Sequence, residues 1–281
     1  MKHDPRTDPE VPQGMSIELL QDLHLLTREG HLNADARRKL KQIRHLVQLL
    51  RPALDDAIAR HGEPVVVDCG AGKSYLGALL YELVLRPAGH GELVAIEARP
   101  ELSEQAAARA ARFGQDRFRL VTGAIATAPL ERRPNVVTAL HACDTATDDA
   151  LALAIAQGAD HVAVVPCCQA EVARQLERSH PDDAVLAALF AHPLHRRELG
   201  SHLTNVVRAL ALEAHGYKVT VTELVGWEHS AKNELILGKR VNRFDAAARA
   251  TLRDLLARFA IEPAIVRELA ARGLDPRTPP A

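Results

Sequence analysis

The sequence predicts an α/β fold: a seven-stranded, mostly parallel sheet with helices on both faces and an antiparallel last strand. From residue 63 onward, short runs rich in β-branched residues alternate with stretches of helical period. Such alternation builds parallel sheets covered on both sides. Near the end, the strand runs 218–224 and 234–238 leave no room for a helix between them, so they should pair antiparallel. With the runs 65–68, 93–97, 119–122, 136–140 and 161–165 they make seven strands.

Taken in order, residues 1–15 are polar and proline-rich and predict a disordered lead. A helical N-terminal segment follows over 16–62. In it Leu40, Ile43, Val47, Leu50 and Leu54 recur at three- and four-residue steps and form one apolar stripe. Pro52 should kink or restart this helix. Arg37, Lys41, Arg44 and Arg51 lie on another face. The sheet domain spans 63–240, with helices expected at 75–85, 101–113, 148–157 and 170–178. Residues 241–281 hold C-terminal helices, with helical pattern over 245–272, and a tail.

A formal net charge of −1 offers no global field for nucleic acid, so any such attraction must come from local patches. No apolar run approaches the roughly 20 residues that cross a bilayer, and no membrane partner is expected. The polar N-terminus lacks the apolar core of a secretory signal. Four cysteines in 281 residues make no disulfide scaffold, so a reducing cytoplasm is the expected setting.

The chemistry concentrates in VVVDCGAGKSYLG, residues 65–77. A phosphate loop of the type G-x-x-x-x-G-K-[ST] needs a glycine at position 67, which is Val67. The dinucleotide fingerprint G-x-G-x-x-G fits Gly70 and Gly72 but meets Tyr75 where its third glycine belongs. Asp-x-Gly-x-Gly after a strand suits S-adenosylmethionine better. Backbone N–H groups at a helix start receive the ligand's carboxylate. Asp68 offers a charge to its ammonium, and Gly70 and Gly72 let the backbone come close. Ala71 and Lys73 complete the loop. Glu97, 25 residues past Gly72 at the next strand end, is placed for the ribose hydroxyls, with Ala98 beside it.

Two further stretches, ALHACDTATDDALALAI from residue 139 and VVPCCQAEV from 164, narrow the reading. Together with the loop, they resemble the class I S-adenosylmethionine-dependent methyltransferases, which have a Rossmann-like sheet. Within that class they resemble the subgroup with HAC and PCC segments, which includes the methyltransferase-like twenty-five and glutathione-S-transferase-C-terminal-domain-containing proteins. KLKQIRHLVQLL, ahead of the domain, resembles the helix preceding it in those relatives. The resemblance implies that Asp68, Gly70 and Gly72 hold the methionine end and Glu97 the ribose. It places Gly123 and Ala124 near the adenine, and His141, Ala142 and Cys143 beside the methyl group. It implies no metal. The chain departs from the subgroup in having Ser74 where relatives have glycine and in lacking a glycine after HAC, which leaves the placement of Asp144 open.

Methyl transfer from a sulfonium needs a base only if the nucleophile loses a proton during attack. His141, titratable near neutrality at the fourth strand end, is the first candidate, and Asp144 the second. A pocket-shaping role for His141 stands beside the catalytic one. Cys69, Cys143, Cys167 and Cys168 all fall at carboxyl ends of strands. Thiols there suit a pocket wall, a redox site or zinc, but adjacent cysteines on a strand point to opposite faces. His161, at a strand start, and His180, His192 and His195, in a proline-broken loop, read as core or surface residues. Trp227 reads as packing at the sheet end, with a place in the acceptor pocket as the alternative.

RNA is the favoured acceptor, through the basic face of the N-terminal helix and through Lys239, Arg240 and Arg243. Aromatic residues make up only 3 % of the chain, which leaves few stacking platforms, so a protein or a small molecule stays open. Two rival classes remain: a nucleotide-dependent oxidoreductase on the same sheet, and a binding protein that keeps the domain as a scaffold.

Overall fold

The computed structural model describes residues 4–140, 142–166, 169–179, 183–224 and 234–278. Two helices come first: α1 (Ile17–Asp22), whose N-cap Ser16 hydroxyl accepts from the Leu19 N–H, and α2 (Ala34–Arg60), capped by Asn33. The strands are β1 (Val65–Cys69), β2 (Glu92–Glu97), β3 (Phe118–Thr122), β4 (Val136–Leu140), β5 (His161–Val165), β6 (Tyr217–Glu223) and β7 (Glu234–Arg240). After β1 come α3 (Tyr75–Leu80), a π-helical turn over Tyr81–Leu85 and α4 (Arg86–Ala88). The remaining helices are α5 (Pro100–Arg112), α6 (Ala146–Gln157), α7 (Glu171–Arg178), α8 (Ala184–Phe190), α9 (Pro193–Ala214), α10 (Ala246–Phe259) and α11 (Ala264–Ala271).

The sheet runs β3-β2-β1-β4-β5-β7-β6. Its pairs are parallel except those of β7, which is antiparallel to both β5 and β6. This is a Rossmann-like sheet, and β1, β4 and β5 lie side by side. Alternation along β1 feeds two cores. Val65, Val67 and Cys69 join one with α6, α9, α10 and α11, while Val66 joins the other with α1, α2 and α3. The segments 16–62 and 241–281 thus share their cores with the sheet. No helix of the described residues is long and apolar enough to cross a membrane.

Four expectations need correction. Residues 4–15, expected to be disordered, are placed: Val11 and Met15 are buried with α1 and α2, and Asp8 and Glu10 pair with Arg37 and Arg44. Pro52 does not restart α2, which runs unbroken over Ala34–Arg60. Pro52 and Gln48 are both exposed, so the Gln48 carbonyl that Pro52 cannot bond is open to water. The helix expected over 75–85 turns into a π turn after Leu80. There Arg117 takes the Leu85 carbonyl at 2.9 Å. His195 is not in a loop, because Pro193 opens α9 at its first position instead of breaking it. His192 is its N-cap residue. His180, Cys167, Cys168 and Trp227 lie outside the described residues.

Candidate functional site

The glycine loop leaves β1 and returns into α3, and its backbone explains its residues. Gly70 and Gly72 sit at φ +66° and +58°, in the left-handed region. The Ala71 N–H bonds the Ile96 carbonyl at 3.0 Å, which ties the loop to β2. A Cβ on Gly70 would stand 3.5 Å from the Ala142 Cβ and 4.0 Å from Ile125 Cδ1. The bare backbone here faces the segments that follow β4 and β3, as a cradle shared by the three strand ends requires.

Both acids are buried. Asp68 is only 2 % exposed. Desolvation pushes its carboxyl from its ordinary 3.8 up to about 7; the Gly77 N–H pulls against this and the nearby Glu97 adds to it. Burial also works to raise Glu97, but its donors prevail and hold it below the usual carboxylate range. Those donors are the Gly72 N–H at 2.6 Å, the Arg99 N–H at 3.0 Å and Arg99 Nε at 2.8 Å. Glu97 is thus an anion aimed at the loop, and Asp68 lies near enough to feel its charge.

Gly123 follows β3 and donates to the Glu97 carbonyl at 3.0 Å, while Ala124, exposed, leads into a 3-10 turn over Ile125–Thr127. Ala142 is buried, and its carbonyl takes the Thr147 hydroxyl at 2.5 Å. The structure therefore brings together Asp68, Gly70, Ala71, Gly72, Glu97, Gly123 and Ala142. Lys73 and Ala98 are exposed at the rim. His141 lies outside the described residues. Asp144, at φ +51°, has its oxygens near the Ala170 N–H (3.2 Å) and Arg174 (3.4 Å) and so fastens this loop to the start of α7. Cys69 is buried, which pushes its thiol up, and Cys143 is exposed.

Sequence reasoning passed over three residues. Gly77 was visible in the quoted stretch, two positions beyond the failed third glycine. Its N–H serves Asp68, and a Cβ there would come within 2.8 Å of Ser74 Oγ and 3.2 Å of Phe118. Arg99 and Ile125 gave no signal, because an arginine after a strand and an isoleucine before a turn are commonplace.

Residues 38–175 match the family model described as a methyltransferase domain. This segment is a methyltransferase domain. Its cofactor is S-adenosylmethionine. No curated protein sequence matches the chain. Among solved structures, the magnesium protoporphyrin IX methyltransferase of Synechocystis PCC 6803, with bound S-adenosylhomocysteine, is 11 % identical at TM-score 0.45. That match covers 79 % of this chain and 93 % of the other. An rRNA methylase from Streptococcus thermophilus is 8 % identical at TM-score 0.43, over 69 % and 96 %. The Methanococcus jannaschii fibrillarin pre-rRNA processing protein is 12 % identical at 0.41, over 64 % and 68 %. At such low similarity none of their acceptors is carried over to this chain.

In the methyltransferase domain, a serine at 74 has a cost. Ser74 stands at φ +58°, makes no capping bond, and its buried Oγ has no partner among the described residues. Ser74→Gly is expected to stabilise the protein by about 1 kcal/mol, raising Tm by about 3 °C in calorimetry. An unchanged or lower Tm would count against strain at this position.

Proposed function

We propose that this methyltransferase moves a methyl group to a protein or small-molecule acceptor that enters over the carboxyl ends of β4 and β5. The observation that supports the site is the pair of buried acids on adjacent strand ends, joined through the loop by the Gly72 N–H on Glu97. When bound, S-adenosylmethionine supplies a methyl group already activated on a sulfonium. Gly70 and Gly72 bare the backbone for the amino-acid end, Asp68 supplies charge to its ammonium, and Glu97 accepts the ribose hydroxyls. Gly123, Ala124 and Ile125 flank the adenine. His141 takes the acceptor's proton where the nucleophile has one to lose. Asp144, already engaged at α7, positions its loop instead. The HAC and PCC segments support a place in the subgroup that carries them.

Two observations favour a protein or small-molecule acceptor over RNA. Arg37, Arg44 and Arg51 each face a carboxylate: Asp8 at 2.7 Å, Glu10 at 3.1 Å and Asp55 at 2.8 Å. A paired face releases few counterions and attracts phosphate weakly. Lys239 pairs in register with His161, the first residue of β5, so the other patch sits at the sheet edge opposite the loops.

Thermal unfolding with S-adenosylhomocysteine and with NAD tests the cofactor. A ligand at a hundred times its Kd stabilises by about 2.7 kcal/mol, and only S-adenosylhomocysteine is expected to do so. Methyl-labelled cofactor, offered with total RNA, total protein and a small-molecule extract, then tests the acceptor. Label is expected in protein or the extract; label in RNA would overturn that choice. The double substitution Arg37→Ala with Arg44→Ala is expected to lower Tm and leave retention of RNA on a filter unchanged.

A further inference from the structure

The cofactor cradle already holds a side chain of the chain itself. Arg99 stands two residues past Glu97, and its Nε donates to Glu97 Oε1 at 2.8 Å. Its Nη2 lies 3.8 Å from where a Cβ on Gly72 would stand, over the bare face of the loop. Cys143, beyond β4, is close enough to act on its charge. The guanidinium thus reaches toward three strand ends, between which the cofactor has to lie. We propose that Arg99 is an internal competitor for the cofactor's ribose, occupying the Glu97 carboxylate in the free protein and leaving it when the ribose hydroxyls bind. This inference rests on the S-adenosylmethionine reading of the site.

The two partners are unequally held. The Glu97 side chain is 5 % exposed, and its second oxygen is fixed by the Gly72 N–H. It cannot turn away. The Arg99 side chain is 61 % exposed on a flexible stem. Its departure gives up only a solvent-screened pair, and water receives the freed guanidinium at once. The Arg99 backbone N–H stays on Oε1 in either state, because it belongs to the turn after β2.

Competition of this kind has a simple arithmetic. Apparent affinity is the intrinsic affinity multiplied by the fraction of molecules with the carboxylate open. If Arg99 sits on Glu97 nine times in ten, binding weakens about tenfold. A side chain that contacts the bound ligand does the opposite: its removal weakens binding.

The test is calorimetric titration of S-adenosylhomocysteine into the wild type, Arg99→Ala and Arg99→Lys. Arg99→Ala is expected to bind more tightly, by about threefold to tenfold. Arg99→Lys, which keeps the charge but loses the planar fork, should fall between. The gap between wild type and Arg99→Ala should narrow at about 0.5 M salt, which screens the exposed pair. Equal or weaker binding by Arg99→Ala, with the wild type still binding, overturns the competitor role. Failure of both proteins to bind overturns the cofactor reading instead.

Discussion

Asp68→Asn is expected to make the protein more stable at pH 8 and a poor binder of its cofactor. Burial raises the Asp68 carboxyl from 3.8 to about 7. The folded state therefore holds a proton between these values that the unfolded chain has given up. Stability falls as pH rises from about 4 to about 7 and is flat above, a loss on the order of 4 kcal/mol. Asparagine keeps the shape, accepts the Gly77 N–H on its oxygen and never ionises. Its new amide donors offset part of the gain, each costing about 1–3 kcal/mol if unpaired. The net gain at pH 8 should be about 2 kcal/mol, or about 5 °C in Tm, and should vanish or slightly reverse at pH 5, where the protonated wild type regains about 2.7 kcal/mol. Affinity for S-adenosylhomocysteine should fall about a hundredfold, the worth of a hydrogen bond to a charged group. At pH 6 the wild type should release a proton on binding, seen as a buffer-dependent enthalpy, because the ligand's ammonium favours the ionised acid. If Asp68→Asn binds as tightly as the wild type, Asp68 serves only to anchor the loop through Gly77. A gain in stability with a loss of ligand is the trade expected of a site built from a strained, desolvated charge.

Much of this site was legible because local pattern and ligand chemistry agree there. All seven strands were readable as β-branched runs, and their ends fall within two residues of the expected ones. Asp68, the glycines and Glu97 are close in sequence, separated by one helix and one strand. What stayed hidden depends on distant partners. Helix α9 was missed because Pro193 read as a breaker and the buried face mixes Leu203, Val207 and Ala211 with Thr204, Asn205 and Arg208. The α2 arginines read as a free basic face because Asp8 and Glu10, which neutralise two of them, sit in a stretch whose composition promised no structure. Arg99 was passed over because nothing in a sequence says that an arginine lies back over the acid two residues before it.

The largest loss of stability is expected from Arg208→Met. Arg208 is 1 % exposed, on the buried face of α9. Its Nε and Nη2 each donate to Asp148 at 2.8 Å, its Nη1 reaches Asn205 Oδ1 at 3.1 Å, and its Nη2 also takes the Asp144 carbonyl at 2.9 Å. Asn205 in turn accepts from Gln169 at 3.1 Å and donates to Glu234 at 2.7 Å. The loops after β4 and β5 and the start of β7 thus converge on one guanidinium. Desolvation raises the Asp148 carboxyl against the pull of Arg208, so the pair exists at a cost that burial imposes. Removing the arginine leaves that carboxyl buried and unpaired, which costs about 3–5 kcal/mol and lowers Tm by about 10 °C. Asp148→Leu with Arg208→Met should recover most of this, since an apolar pair of similar volume often replaces a buried ion pair without loss. The two substitutions should be strongly non-additive in denaturant titration, with a coupling of several kcal/mol where independent sites would give near zero. Additive losses would mean that the pair is not the unit that holds these loops. Recovery of Tm in the double variant would still leave the Asp144 carbonyl without its donor and Asn205 Oδ1 with Gln169 alone. Those loops should then exchange amide hydrogens faster than in the wild type, even at equal global stability.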